Sequence, residues 1–391
     1  KHEMPLLRSL LDRAADSKFF SSLDLKQSYH QFEILAKDRV KTSFSWFGSQ
    51  FMFKGAPFGI KTLTAIFQRV MMQLFYKLNF VICFVDDILV YSKTEEEHIK
   101  HLKEVISILT SANLTLNPTK CHFGMKKIHI LGHCISKDGV EIDPLKVTEA
   151  LIIPIPKTAT DVQSFLGTTN YVRDFIPKYA DLAKPLDELR FSKDVPSVWN
   201  GKHQKAFDSL KKSLQNSPKL AFPNHKLPFY LATDASSFGI SGVLFQIEEN
   251  DSLNLKNILQ HRIIKFVART LNKSERNYSA TKRELLAIVN GLKKCEEYLL
   301  GRKTFIITDH KPLTFLHSQK RLADLHMTWA ETLSKFNLEI IYCPGKDNIL
   351  PDLLSRLMPD NQSNNSVCTL AAVSLMEISK ERKNELLQET H

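Results

Sequence analysis

The sequence predicts an α+β fold divided among two or three domains. Three observations carry this. The chain has 391 residues, enough for two or three cores at roughly 150 residues each. Short apolar strands alternate with amphipathic helices before about residue 140 and again after residue 228, and the stretch 143–215 between them is mostly helical. A proline-dense break at Ser217 to Pro228, carrying Pro218, Pro223 and Pro228, marks a boundary near residue 220.

In chain order, Thr62 to Lys77 places Leu63, Ile66, Phe67, Val70, Met71 and Leu74 at helical spacing after the flexible Gly59. Phe80 to Tyr91 reads as two short strands around a turn. The next helix begins at Thr94, which forms a capping box with Glu97, and Ile99, Leu102, Ile106 and Leu109 line one face. Within 143–215 a second capping box is expected at Thr160 and Gln163, ahead of Phe165 and Leu166, and Phe191 to Trp199 is a break. Pro228 to Gln246 reads as strand, turn, strand. A long helix is expected from Tyr278 to Leu300 and a strand at Thr304 to Thr308. After Met358 the chain is polar, includes the patch Asn361 to Ser366, and reads as a linker or tail.

Composition bounds the function. With 53 Lys+Arg and 42 Asp+Glu the formal net charge is +11, which favours a polyanionic partner or simply a soluble basic protein. Hydrophobic residues at 43% and charged residues at 24% fit a globular chain, and exclude a collagen-like fibre and a small disulfide scaffold. No apolar run approaches the ~18 residues that span a bilayer, so no membrane partner is expected. The six cysteines (Cys83, Cys121, Cys134, Cys295, Cys343, Cys368) include no C-x-x-C pair, which suits reduced thiols and an intracellular setting over a structural zinc site. The chain opens with Lys1, shows no signal-peptide core and reads as a segment of something longer.

The chemistry enters at Phe84-Val85-Asp86-Asp87-Ile88-Leu89. Adjacent carboxylates between apolar strand residues repel and are costly to bury. Either the turn is solvated, or a divalent cation offsets the repulsion. Asp24, between Leu23 and Leu25, supplies a third carboxylate; alone it would read as a turn or helix cap. The three together make an oxygen-rich set of the kind that binds two Mg²⁺ ions.

Nine segments then carry a resemblance. FSSLDLKQSYHQFEI, APFGIKTLTAIFQRVM, FVDDILVYS and KCHFGMKKIHILGHCIS resemble polymerase motifs of the reverse transcriptases of gypsy-type LTR retrotransposons. SFLGTTNYVRDFIPKYADLAKPL resembles that family's connecting region. FYLATDASSFGISGVLFQ, ERNYSATKRELLAIV, FIITDHKPLTFL and YCPGKDNILPDLLSRL resemble its RNase H domain.

The resemblance implies a right-hand polymerase palm, with a ferredoxin-like sheet and partial fingers, over 1–140. It implies a helical thumb and connection over 141–220, an RNase H domain with a mixed sheet over 221–358, and a tail at 359–391 toward an integrase. It implies that Asp24, Asp86 and Asp87 are polymerase metal ligands. Tyr29 would pack under the incoming sugar and exclude a 2′-hydroxyl, Gly59 would lie under the templating base, and Leu131-Gly132-His133 would grip the primer terminus.

Asp234 and Asp309 each close an apolar strand, Glu284 lies at the margin of a helix's buried stripe, and Asp352 follows the loop from Gly345 to Leu350. Each alone has an ordinary reading as a strand-end turn, helix surface or cap. Together they match the RNase H cluster that cleaves the RNA of a hybrid with two metal ions. His310 belongs to the same TDH motif.

The implied function is RNA-directed DNA synthesis with RNase H activity. The implied cofactor is Mg²⁺, two per site, with Mn²⁺ as a substitute. Implied partners are an RNA template, a DNA or tRNA primer, RNA/DNA hybrid, dNTPs and a second subunit in a homo- or heterodimer. The implied location is the cytoplasm, a virus-like particle or the nucleus. Departures from the family pattern are Thr62-Leu63-Thr64 for Asn-Ala-Pro, Ile153 for a tryptophan and Pro351 for an alanine before Asp352. The family's first fingers segment lies upstream of Leu10, so weak primer extension is expected. The alternatives are a degraded or co-opted remnant that only binds nucleic acid, and a purely structural polymerase subunit.

Overall fold

A computed structural model of the protein describes residues 7–249, 251, 253, 260–315 and 327–343. A short helix, α1 (Leu7–Asp12), leads into β1 (Phe19–Asp24). Strands β2 (Phe44–Trp46) and β3 (Ser49–Phe51) pair as a separate, fully exposed hairpin. Helix α2 (Leu63–Leu74) precedes a second hairpin of β4 (Val81–Phe84) and β5 (Asp87–Ser92). Helix α3 (Glu95–Ser111) opens on the expected capping box: Glu97 N–H donates to Thr94 Oγ1 at 3.3 Å, and Thr94 N–H to Glu97 Oε2 at 3.4 Å.

With β6 (His122–Met125), these strands form an antiparallel sheet in the order β4-β5-β1-β6. The apolar stripes of α2 (Phe67, Met71) and α3 (Val105, Leu109) share one core with Leu23, Ile88 and Val90 of that sheet. Burying each such side chain contributes ~1.5–3 kcal/mol, so both helices are held to the strands that bear the aspartates.

Strands β7 (Lys127–Ile130), β8 (His133–Ser136) and β9 (Gly139–Ile142) make a three-stranded antiparallel sheet. Five helices follow: α4 (Pro144–Ile152), α5 (Ala159–Tyr171), α6 (Tyr179–Asp187), α7 (Val195–Val198) and α8 (Gly201–Gln215). The capping box of α5 differs from expectation. It is Thr158 with Asp161, not Thr160 with Gln163. Thr158 is the residue in extended conformation; its Oγ1 accepts from Asp161 N–H at 3.1 Å, and Asp161 Oδ2 accepts from Thr158 N–H at 2.9 Å. Thr160 already lies inside the helix, so it is not the residue whose side chain caps the first turn.

The last unit contains β10 (Phe229–Ala235), β11 (Gly239–Gln246), β12 (Arg262–Thr270), α9 (Ala280–Lys294), α10 (Glu296–Leu299), β13 (Lys303–Thr308), α11 (Met327–Ser334) and β14 (Asn337–Tyr342). Its sheet is mixed, ordered β12-β11-β10-β13-β14, with β13 parallel to both β10 and β14. The single long helix expected over 278–300 is two helices, because Cys295 leaves helical dihedrals (φ −114°, ψ 14°) and ends α9.

Alternation along the strands divides the sheet's two faces between two cores. Leu231, Leu244 and Ile264 pack under α9 with Leu285, Ile288 and Leu292. Ala232, Val243, Phe245, Ile263 and Phe266 face the other way, into a core built from Phe165, Leu166, Ala183, Leu186, Phe207 and Leu210 of α5, α6 and α8. That second core continues to Phe20 and Leu89 of the first sheet.

Candidate active sites

The first carboxylate cluster is assembled by strand pairing. In the β1–β5 register Asp24 stands directly opposite Asp87, and Asp86 occupies the β4–β5 turn. Like charges facing across a strand pair are unfavourable, and nothing among the described contacts neutralises them. Burial, followed by Asp86 and Asp24, pushes the Asp87 carboxyl above the usual range. Burial also raises Asp86, with Asp24 adding and a hydrogen bond from Ser28 opposing. Asp86 Oδ1 is buried without a hydrogen-bond partner.

The turn itself is strained. Val85 has φ +54°, a genuine outlier for a β-branched residue. The side chain of Gln68, fully buried on α2, holds it there: Val85 N–H donates to Gln68 Oε1 at 2.6 Å, and Gln68 Nε2 donates to the Cys83 carbonyl at 2.9 Å. One amide therefore spans the residues on either side of Phe84 and fixes the direction in which Asp86 and Asp87 leave the strand. Sequence reading counted the apolar stripe of α2 and passed over Gln68; a polar residue beside buried Phe67 was the available signal.

Tyr29 is buried edge-on against Phe67 (5.1 Å) and Phe58 (5.4 Å), with its hydroxyl 3.4 Å from Thr64 Oγ1. These are the contacts of a core aromatic. Gly59 has φ +93° with open space where a Cβ would lie, so its conformation, and no crowding neighbour, is what asks for glycine. Leu131 and Gly132 form the two-residue turn between β7 and β8, and His133 opens β8 with its ring between Tyr171 and Phe175, both at 5.6 Å.

The second cluster sits at one end of the mixed sheet. The parallel register pairs Ala232 with Ile307, so Asp234 and Asp309, each two residues further on, emerge side by side. Glu284 reaches them from α9: its Oε1 accepts from Ala235 N–H at 3.2 Å, while Oε2 is buried with no hydrogen-bond partner. Burial, then Asp309 and Asp234, pushes the Glu284 carboxyl up to about 8. A residue of the preceding helical region completes the picture. Lys178, at φ +49° just before α6, places Nζ 2.5 Å from Asp234 Oδ2. His310 Nε2 lies 2.7 Å from Thr281 Oγ1. Asp352 lies outside the described residues.

A divalent cation is tested by this donor chemistry. Both clusters offer only oxygen, each holds a carboxyl raised by burial and by its acidic neighbours, and each keeps one buried oxygen without a partner, which fits a hard cation. The arrangement is open. Among the described residues no three His, Cys, Asp or Glu side chains are set so as to hold an ion directly.

This pairing of a palm-type sheet with a five-stranded mixed sheet is the fold of reverse transcriptases that carry an RNase H-like domain. The family model for "Reverse transcriptase (RNA-dependent DNA polymerase)" matches residues 1–135, and that for "RNase H-like domain found in reverse transcriptase" matches residues 224–336. The chain is 35% identical to the retrovirus-related Pol polyproteins from transposons opus and gypsy of Drosophila melanogaster, over 92% and 91% of its length. It is 32% identical to the transposon Tf2-3 polyprotein of Schizosaccharomyces pombe over 99% of its length. It spans 36%, 34% and 29% of those three relatives.

Structures of the foamy viral protease-reverse transcriptase, one in complex with dsDNA and one with RNA/DNA hybrid, share its fold. Their TM-scores are 0.72 and 0.69 at 20% and 21% identity, covering 88% and 93% of this chain and 71% and 48% of theirs. The chain belongs to the gypsy-type LTR retrotransposon Pol family and carries its reverse transcriptase and RNase H-like domains. Those families generally use divalent metal ions.

Proposed function

We propose that the chain extends a primer on an RNA template into DNA and cleaves the RNA strand of the resulting hybrid. The observation that carries this reading is the pair of separate carboxylate clusters, Asp24/Asp86/Asp87 and Asp234/Glu284/Asp309, each with a buried unpartnered oxygen. Asp352 joins the second set by resemblance of its motif.

Mg²⁺, two per cluster with Mn²⁺ able to substitute, would be held by these carboxylates. When bound, such ions ease deprotonation of a hydroxyl or water and offset charge at phosphorus. The chain's own residues do the positioning. Gln68 clamps the strained turn and so aims Asp86 and Asp87 at the primer end. The turn at Leu131, Gly132 and His133 holds the primer terminus, Tyr29 limits the sugar that fits, and Gly59 lets the backbone pass close to the template. Glu284, fixed by Ala235 N–H, stands beside Asp234 and Asp309 as the third carboxylate that would hold the ions.

The partners proposed are an RNA template, a DNA or tRNA primer, RNA/DNA hybrid and dNTPs, in a homo- or heterodimer. The surplus of eleven positive charges supports polyanion binding, and the two foamy viral relatives in fold were solved with dsDNA and with hybrid. Among the described residues no helix is long and apolar enough to cross a membrane. Action in the cytoplasm, a virus-like particle or the nucleus follows from copying an element's RNA. The same reading divides the chain into palm with partial fingers (1–140), thumb and connection (141–220), RNase H (221–358) and tail (359–391).

The test runs primer extension and hybrid cleavage side by side with Asp86→Asn and Asp309→Asn. Each substitution should abolish one reaction and spare the other. Binding of hybrid with neither reaction, unchanged by either substitution, would leave the co-opted remnant instead.

A further inference from the structure

The turn joining β7 to β8 has both residues in the left-handed region, Leu131 at φ +50° and Gly132 at φ +64°. Turns of this type favour Asn-Gly, and a branched-chain residue at the first place costs ~1 kcal/mol or more. The conformation is held by three hydrogen bonds, two of them from outside the hairpin. The Leu131 carbonyl accepts two hydrogen bonds, from the Tyr171 hydroxyl at 2.7 Å and from His133 Nδ1 at 2.6 Å, so His133 carries its proton on Nδ1. The Gly132 carbonyl accepts from Asp143 N–H at 3.1 Å.

Tyr171 is the last residue of α5, yet its ring lies on this turn: a Cβ at position 132 would stand 3.2 Å from Tyr171 Cε1. Tyr171 is 51% exposed. Beside it is a cavity of about 350 Å³, lined also by Lys146, Thr168, Val172 and Leu214. Burial raises the phenol's pKa, Lys146 opposes and Asp87 adds. The phenol thus remains a donor at neutral pH.

We propose that Tyr171 is a positioning residue for DNA synthesis: its hydroxyl ties helix α5 to the Leu131 carbonyl and sets the height of the turn that presents the primer end to Asp86 and Asp87. The proposal rests on the reading of Leu131 to His133 as the primer contact. A thumb helix that moves on binding duplex carries the turn with it through one hydrogen bond. The chain then couples grip on the duplex to placement of the reacting end.

The test is Tyr171→Phe in the full chain, which keeps the ring and removes the donor. The probe is a primer–template with 2-aminopurine as the primer-terminal base. Single-turnover extension at saturating nucleotide should fall about tenfold. Duplex affinity should stay within about twofold and hybrid cleavage unchanged, because most duplex affinity comes from phosphate contacts. The fluorescence change on placing the primer end should be lost.

Wild-type extension and fluorescence in the variant would overturn the proposal. So would a parallel fall in melting temperature, duplex affinity and both reactions, which marks a merely structural contact. If the wild-type protein itself gives neither extension nor a primer-end signal, the primer-contact reading fails and takes the proposal with it.

Discussion

Replacing Gln68 by leucine isolates the clamp on the Asp86–Asp87 turn. Leucine keeps most of the volume in a fully buried position but strands the Val85 N–H and the Cys83 carbonyl. A stranded buried backbone group costs ~1–3 kcal/mol; Val85 is only partly buried, so water relieves some of this and about 2–4 kcal/mol for the pair is the expected loss. The turn has an escape: returning Val85 from φ +54° to an ordinary dihedral recovers ~1–3 kcal/mol of strain and swings both aspartates. The protein should therefore give up geometry before it gives up folding.

The expected phenotype follows. The melting temperature should fall by about 4–10 °C, and primer extension by about a hundredfold, the scale of a misplacement near 1 Å. Hybrid cleavage in the same preparation should match wild type, since Glu284 and its neighbours share no contact with Gln68. Extension assays and cleavage assays on one protein stock measure the split. Wild-type extension with a lowered melting temperature would refute the view that the clamp aims the carboxylates.

Three further outcomes are expected. The Glu284 carboxyl, pushed up to about 8 by burial and by Asp309 and Asp234, binds its proton more tightly in the folded chain; its contribution to stability is complete below the ordinary carboxyl range and is lost as pH rises through about 8. Metal-free protein should thus lose melting temperature from about pH 5 to 9, and Glu284→Gln should flatten that loss; parallel profiles would contradict the shift. Lys178→Met should tighten Mn²⁺ binding at the second cluster by about tenfold, read by calorimetry in an Asp24→Asn/Asp86→Asn background, because a metal ion no longer competes with an ammonium 2.5 Å from Asp234. Lys184→Met, whose ammonium lies over the Phe238 ring, removes the same charge and should do much less. Asp87→Asn should abolish extension yet raise the metal-free melting temperature slightly, by ~0.2–1 kcal/mol of relieved cross-strand repulsion with Asp24; an unchanged or lower melting temperature would count against that repulsion.

Local signals in the sequence translated well wherever one element contained its own explanation. The Thr94–Glu97 box, the apolar stripe of α2 and the strand-turn-strand around Asp86 all lie within a few residues of the groups that stabilise them. The box of α5 was misplaced because two candidate pairs lay two residues apart and only the extended backbone of Thr158 chooses between them. Strand β12 was not anticipated; Ile263 and Phe266 face one core and Ile264 and Val267 the other, so both faces are apolar and the alternation that marks a half-buried strand is blurred. The exposed β2–β3 hairpin offered no apolar-in, polar-out pattern either. In the sites, the Asp86–Asp87 pair was legible because charge amid apolar residues is costly, and the second set through the resemblance of its motifs. The groups that act on them were not: Gln68 is 17 residues from Val85, Lys178 is 56 from Asp234 and Tyr171 is 40 from Leu131, pairings that only the tertiary fold brings about.

The mixed sheet's second face has a consequence for inheritance. Ala232, Val243, Phe245, Ile263 and Phe266 find their apolar neighbours in α5, α6 and α8, which precede them in the chain. An exchange between related elements that joined one parent's chain to another's near residue 220 would cut across this packing while leaving both carboxylate clusters intact. The two parents would have to agree in side-chain volume along the whole contact. The unit that recombination can pass on whole is therefore the helices together with the sheet they cover, and the five-stranded sheet travels with the helices before it.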